Sequence, residues 1–190
     1  MSTRQKIGII AIAGVLMAGA ILYASVAFAQ DKVEPKQALI VEAPATWKVE
    51  FKGDKGMQFY TVTRKDGDTA LLMFSRWPAP GNVKQIPEQI EALAKGFLAA
   101  VKDNKDIKLK TDKYQIEAIA GDTFSGRFVQ FEIDGGITQT MFMIGDAEGI
   151  WNGQFTGTKE RWAEAVSILK KLKKKGLPSA GGDGKPTPQP

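Results

Sequence analysis

GIWNGQFTGTKERWAEAVSILKKLKKK, residues 149–175, reads as a strand, a sharp break and a closing helix. Trp151, Gly153 and Phe155 alternate with Asn152 and Gln154, so the large apolar groups fall on one side at period two, with Ile150 as the exception. Gly157 ends that run, and Thr158 has the side chain of a helix cap. Trp162, Ala165, Val166, Leu169 and Leu172 then recur at helical spacing, which predicts one apolar face from Lys159 to Lys175. Glu160 stands in the first turn, and Lys170, Lys171, Lys173, Lys174 and Lys175 crowd the last, as the helix dipole favours. Gly176 and Pro178 stop the helix. A helix with a single apolar face needs a sheet to lie on.

The preceding chain supplies strands. Trp47, Val49 and Phe51 alternate with Lys48, Glu50 and Lys52, the pattern of a half-buried strand. Gly53 to Gly56 turns the chain into Met57–Arg64, and Asp66-Gly67 joins that run to Thr69–Trp77 as a hairpin. Pro78 to Gly81 stops the sheet. Pro87 opens a helix whose Ile90, Leu93, Ala94, Phe97, Leu98 and Val101 keep helical spacing. A strand is expected over Ile107–Ala120, and a second hairpin over Asp134-Gly135-Gly136 joins Phe128–Ile133 to Ile137–Ile144. Short turns between strands imply a mostly antiparallel sheet. Ala70–Phe74 and Met141–Ile144 are apolar on both sides, which predicts that both sheet faces are covered there. The expected fold is α+β, a three-layer α/β/α sandwich with a helix on each face and with Phe97 and Trp162 on opposite sides.

Before this domain lies an export segment. Arg4 and Lys6 precede 23 uncharged residues, Ile7 to Ala29, and Ala27-Phe28-Ala29 forms a cleavage signal. Residues 1–29 are read as a cleaved signal peptide that delivers the domain to the periplasm or outside the cell. The alternative is an uncleaved inner-membrane anchor over residues 7–29, since that length spans a bilayer. Either way the positive charges stay inside and the domain lies outside the cytoplasm. Residues 30–37 form a short lead, 38–176 the domain, and 177–190 a disordered Gly/Pro tail. About 140 residues remain for the fold, enough for one core.

Composition narrows the chemistry. The 190 residues contain no Cys and no His, which removes disulfides, thiolate nucleophiles and the commonest general base and metal ligand. The net charge of +5 is too small a bias to imply nucleic acid. Neither a nucleophile elbow nor a phosphate-binding glycine loop occurs. Asp66-x-Asp68 and Asp146-x-Glu148 are read as turn residues rather than cation ligands, and Met73, Met141 and Met143 as core rather than copper ligands. No catalytic residue, cofactor or metal is assigned.

Five features in this order carry a resemblance: Pro44-x-x-Trp47, the Asp66-Gly67 hairpin, the helix from Pro87, the Ala120-Gly121 step and the terminal Trp162-x-x-Ala165-x-x-Ile168-Leu169-x-x-Leu172-Lys173 run. Over residues 37–174 the chain resembles the PsbP-like fold, shared with Ran-release-factor-like proteins and with bacterial envelope proteins of the DcrB type. That resemblance implies a non-catalytic binding or assembly module attached to a larger, often membrane-bound, complex. The chain lacks the lipid-attachment Cys of lipoprotein members. Expected contact residues are Arg76 and Trp77 for affinity, and Lys170, Lys171, Lys173, Lys174 and Lys175 for steering toward an acidic partner or anionic lipid surface. Competing readings are a periplasmic carrier of small molecules and, behind it, a carboxylate-based hydrolase.

Overall fold

A computed structural model describes residues 39–54, 57–76, 83–102, 104 and 106–175. Residues 1–38, where the export segment and lead are expected, Trp77, and residues 176–190 lie outside the described residues. Hairpins build most of the sheet. Strand β1 is Leu39–Ile40, β2 Trp47–Asp54, β3 Met57–Arg64 and β4 Leu71–Arg76. After a 3-10 turn at Val83–Gln85, helix α1 spans Ile86–Lys102. Then come β5 Ile116–Ala120, β6 Ser125–Ile133, β7 Ile137–Gly145 and β8 Ile150–Gly157. Helix α2 runs from Lys159 to Lys170, and β9 is Lys173–Lys174.

Seven strands form one antiparallel sheet in the order β2-β3-β4-β8-β7-β6-β5. β8, from the quoted stretch, lies at its centre, paired to β4 on one side and β7 on the other. The expected alternation holds there: Trp151 and Phe155 enter one hydrophobic cluster and Ile150 enters another. Gly153 in the same strand is a packing requirement. A Cβ there would lie 2.4 Å from both the Phe142 ring and the Met73 carbonyl oxygen. β7 divides likewise, with Phe142 and Ile144 in the first cluster and Met141 and Met143 in the second.

Each helix joins one cluster. Trp162, Ala165, Ile168 and Leu169 of α2 belong to the first, where the Trp162 ring meets Phe128, Phe155 and Phe142 with centroids 5.1, 5.4 and 6.2 Å away. Ile86, Ile90, Ala94, Phe97 and Val101 of α1 belong to the second, and the Phe97 ring lies 4.7 Å from that of Phe131. α1 packs mainly on β6 and β7. Thr158 caps α2 as expected, its side chain accepting from the Arg161 N–H at 3.4 Å.

Four details differ from the sequence reading. First, α2 ends at Lys170, not Lys175. The chain turns, Leu172 is buried in the first cluster, and Lys173–Lys174 pairs with Ile40–Leu39 as a two-stranded ribbon. Second, regular pairing near Ile107–Ala120 is confined to Ile116–Ala120, and Leu109 makes a single bridge to Ile133. Third, on α2 it is Ile168 that is fully buried, while Val166 is half-buried at the margin. Fourth, the second side of β4 is not closed, because Leu71 and Met73 remain half-buried while Ala70, Leu72 and Phe74 are fully buried. The helix of the second cluster packs on β6 and β7, and β8 lies between those strands and β4.

Candidate functional site

Two of the residues expected to contact a partner, Arg76 and Lys174, meet at one end of the sheet. β4 ends at Arg76, opposite Trp151, and the Arg76 guanidinium lies against Gly149. Gly149 closes the tight β7–β8 turn. There the Asp146 carboxylate accepts from the N–H groups of Glu148 at 2.8 Å and Gly149 at 3.2 Å. Lys174 reaches the same turn from the ribbon, its Nζ 2.5 Å from Asp146 Oδ2 and 2.8 Å from Glu148 Oε2. Burial works to raise the Asp146 carboxyl, but the Lys174 ammonium and the two backbone N–H groups prevail and hold it below its ordinary range. Sequence reading treated Arg76 and the lysine run as separate candidates. The fold brings Arg76 and Lys174 to one turn.

The lysine run is itself divided. Lys173 donates to Glu42 Oε1 at 2.7 Å and lowers that carboxyl, and Lys174 is engaged as described. Lys170, Lys171 and Lys175 are exposed. The Lys170 carbonyl accepts from Asp122 N at 3.0 Å, and its backbone lies so close to Gly121 that a Cβ there would be 2.6 Å from the oxygen. This explains the Ala120-Gly121 step: the end of α2 rests on it. Between the lysines, Ile40 pairs with Lys173 and is the exposed large hydrophobic of the described chain, at 41%.

At the opposite end a second cluster of charges is internally satisfied. The Arg64 side chain is 7% exposed, and its Nη1 donates to Glu164 Oε2 at 2.8 Å and to Thr46 Oγ1 at 3.1 Å. The same guanidinium pairs with Asp66 and lies over the Trp47 ring at 5.4 Å. Trp47 Nε1 donates to Glu164 Oε2 at 2.9 Å. Arg161 of α2 bridges Asp68 at 2.7 Å and the other oxygen of Glu164. Asp66 and Asp68 therefore do more than shape the hairpin turn. They tie it to α2. Sequence reading missed Arg64, Arg161 and Glu164, whose partners lie up to 117 positions away.

Cavities offer little chemistry. A groove of about 710 Å³ is lined by Asp112, Tyr114, Glu117, Gln130, Glu132 and Lys159 among others. Every residue lining it carries a polar or charged group and it stands open to solvent, unlike the apolar enclosure that a carrier of small molecules uses. Glu132 is held there by Lys110 at 3.1 Å. Among the described residues no group of three or more acids could hold a metal ion, and no helix is long and apolar enough to cross a membrane. Met73 is half-buried on β4, and Met141 and Met143 are core residues of the second cluster. No protein-family model, curated protein or solved structure matches this chain.

Proposed function

We propose that this is an exported, non-catalytic binding or assembly module of PsbP-like, DcrB-type architecture that associates with a protein partner at the cell envelope. Export is supported by Arg4 and Lys6 ahead of an uncharged run closed by Ala27-Phe28-Ala29. A three-layer arrangement with one helix per face is supported by the assignment of α1 and α2 to clusters fed by alternate residues of β7. The Pro44 carbonyl accepts from Trp47 N at 2.8 Å, and Gly121 seats the end of α2, so two features of the resemblance have local structural reasons.

The observation that carries the binding reading is that Arg76 and Lys174 meet at the β7–β8 turn while exposed Ile40 lies on the same two-stranded ribbon as Lys174. An apolar side chain framed by long cations suits a partner with an apolar contact and an acidic rim. Lys173 and Lys174 are already paired, so the steering charge falls to Lys170, Lys171 and Lys175.

A photo-activated crosslinking residue placed at Ile40 of the full chain in its native cells tests this reading. Lys65, exposed at the other end of the sheet, is the control position. The expected result is one discrete protein adduct from position 40 and none from 65. That adduct is lost in Arg76→Ala and weakened in a variant with Lys170, Lys171 and Lys175 changed to Gln, with each variant first shown to be folded. Equal labelling from both positions, or an adduct indifferent to both variants, overturns it.

A further inference from the structure

A surface that the foregoing reading does not use is the outer edge of β2. β2 pairs only with β3, and among the described residues no strand lies on its other side. An eight-residue open edge is a template for another strand. The hydrogen bond from Lys65 N to Thr46 O, at 2.9 Å, fixes the alternation along it. Residues 48, 50 and 52 turn their backbone groups toward β3, and Val49, Phe51 and Gly53 turn theirs outward. Trp47 N also turns away from β3, but it is already donated to Pro44 O.

The side chains restrict what can pair there. Lys48, Glu50 and Lys52 alternate on one side of the strand, and Lys48 and Glu50 are 59% and 43% exposed. Val49 and half-buried Phe51 lie on the other side, at the margin of the first cluster. We infer that a second copy of this chain pairs antiparallel with this edge about a two-fold axis at Phe51, joining the two seven-stranded sheets into one. In that register Glu50 faces Lys52 of the other copy, and by symmetry the contact occurs twice. Val49 and Gly53 exchange backbone hydrogen bonds across the axis, as do the two Phe51 residues. Every outward N–H and C=O from 49 to 53 is satisfied, and Phe51 gains an apolar neighbour.

Neighbouring registers are worse. Centring on Glu50 sets Glu50 against itself and Lys48 against Lys52. Centring on Val49 pairs Lys48 with Glu50 but needs the Trp47 N–H that Pro44 already holds. An incoming strand without a matching acid sets nothing opposite Lys52, so the edge favours its own sequence over foreign strands. The symmetry is isologous, which lets one charge pattern serve both sides.

Charge reversal tests the inference. In sedimentation of the full chain in mild detergent, the parent protein is expected to be a dimer. Glu50→Lys and Lys52→Glu each turn two attractive contacts repulsive and should weaken association by about tenfold. Their combination restores the pattern and the dimer. The chain has no native cysteine, so introduced thiols report the register. Oxidation should link Phe51→Cys chains but not Val49→Cys chains, whose thiols would lie about 13 Å apart along the strands. A monomeric parent protein, association unmoved by either reversal, failure of the double variant to restore it, or linking from position 49 equal to that from 51 each overturns the inference.

Discussion

Glu164 shows how much one side chain can organise. One of its oxygens accepts from Trp47 Nε1 and Arg64 Nη1, and the other from Arg161. The first bond, then the guanidinium of Arg161, hold its carboxyl below the ordinary range against the opposing effect of burial. Glu164→Gln keeps the shape but leaves the largely buried Arg64 with a neutral neighbour, so thermal unfolding should move down by several degrees. An unchanged midpoint in calorimetry would show the cluster to be passive. Asp66 makes the pH dependence specific. Its hydrogen bond to Arg64 takes the carboxyl from 3.8 to about 2 in the folded chain. A lowered folded value means that the contribution is complete above pH 3.8 and is lost as pH falls through about 2. Asp66→Asn should therefore lower stability most above pH 3.8, flatten the acid limb between those values, and bring the two curves together below about pH 2. Denaturant titrations at stepped pH decide this, and an identical acid limb in the variant would refute it.

Among the elements, the two helices provide the sharpest test because they share a sheet but not a cluster. Phe97 and Trp162 are 2% and 5% exposed. Truncating either to Ala should cost roughly 3–5 kcal/mol. The double variant should lose the sum within about 0.5 kcal/mol, since neither ring touches the other's neighbours. Strong non-additivity would mean that the two cores are one and would remove the sandwich. Most of this layout was legible. Period two located β2 and β8, the Asp-Gly and Gly-Gly turns between apolar runs located the β3–β4 and β6–β7 hairpins, and period 3.6 located both helices. The end of α2 was not legible. Leu172 follows Leu169 at helical spacing, but a turn also buries it, and the β9 ribbon depends on Leu39 and Ile40, remote in sequence. The same reason hid the charge cluster around Glu164 and the meeting of Arg76 with Lys174. The irregular course of 107–115 was half visible, since Leu109 and Tyr114 are five apart and no straight strand puts both on one side. Leu71 and Met73 misled differently. Apolar character on both sides of β4 says that burial is favourable, not that a helix is present to provide it.

At the scale of the whole molecule, stability should fall from the sheet centre toward one edge. β7 and β8 are paired on both sides, and their residues feed both clusters. β5 is a five-residue edge paired only to β6. The chain that leads to it, 106–115, is held by fewer ties. Backbone bonds run from Lys110 N to Glu132 O and from Asp134 N to Lys108 O, both 2.9 Å, and the Tyr114 hydroxyl donates to Glu91 on α1 at 2.9 Å. That hydroxyl is shifted upward by the bond to Glu91, so it stays protonated and able to donate through neutral pH. Unfolding that begins at 106–120 uncovers the flank of the second cluster and withdraws only Ile119 from the first, so it should precede global opening. Hydrogen exchange followed by mass spectrometry should show peptides within 106–120 exchanging well before those within 137–157. Tyr114→Phe should speed the former by severalfold and leave the latter unchanged, because the lost bond ties the segment to α1 and not to the sheet centre. Uniform exchange across both regions, or acceleration of 137–157 by Tyr114→Phe, would mean that the sheet opens as a single unit and that β5 is no weaker than the strands it flanks.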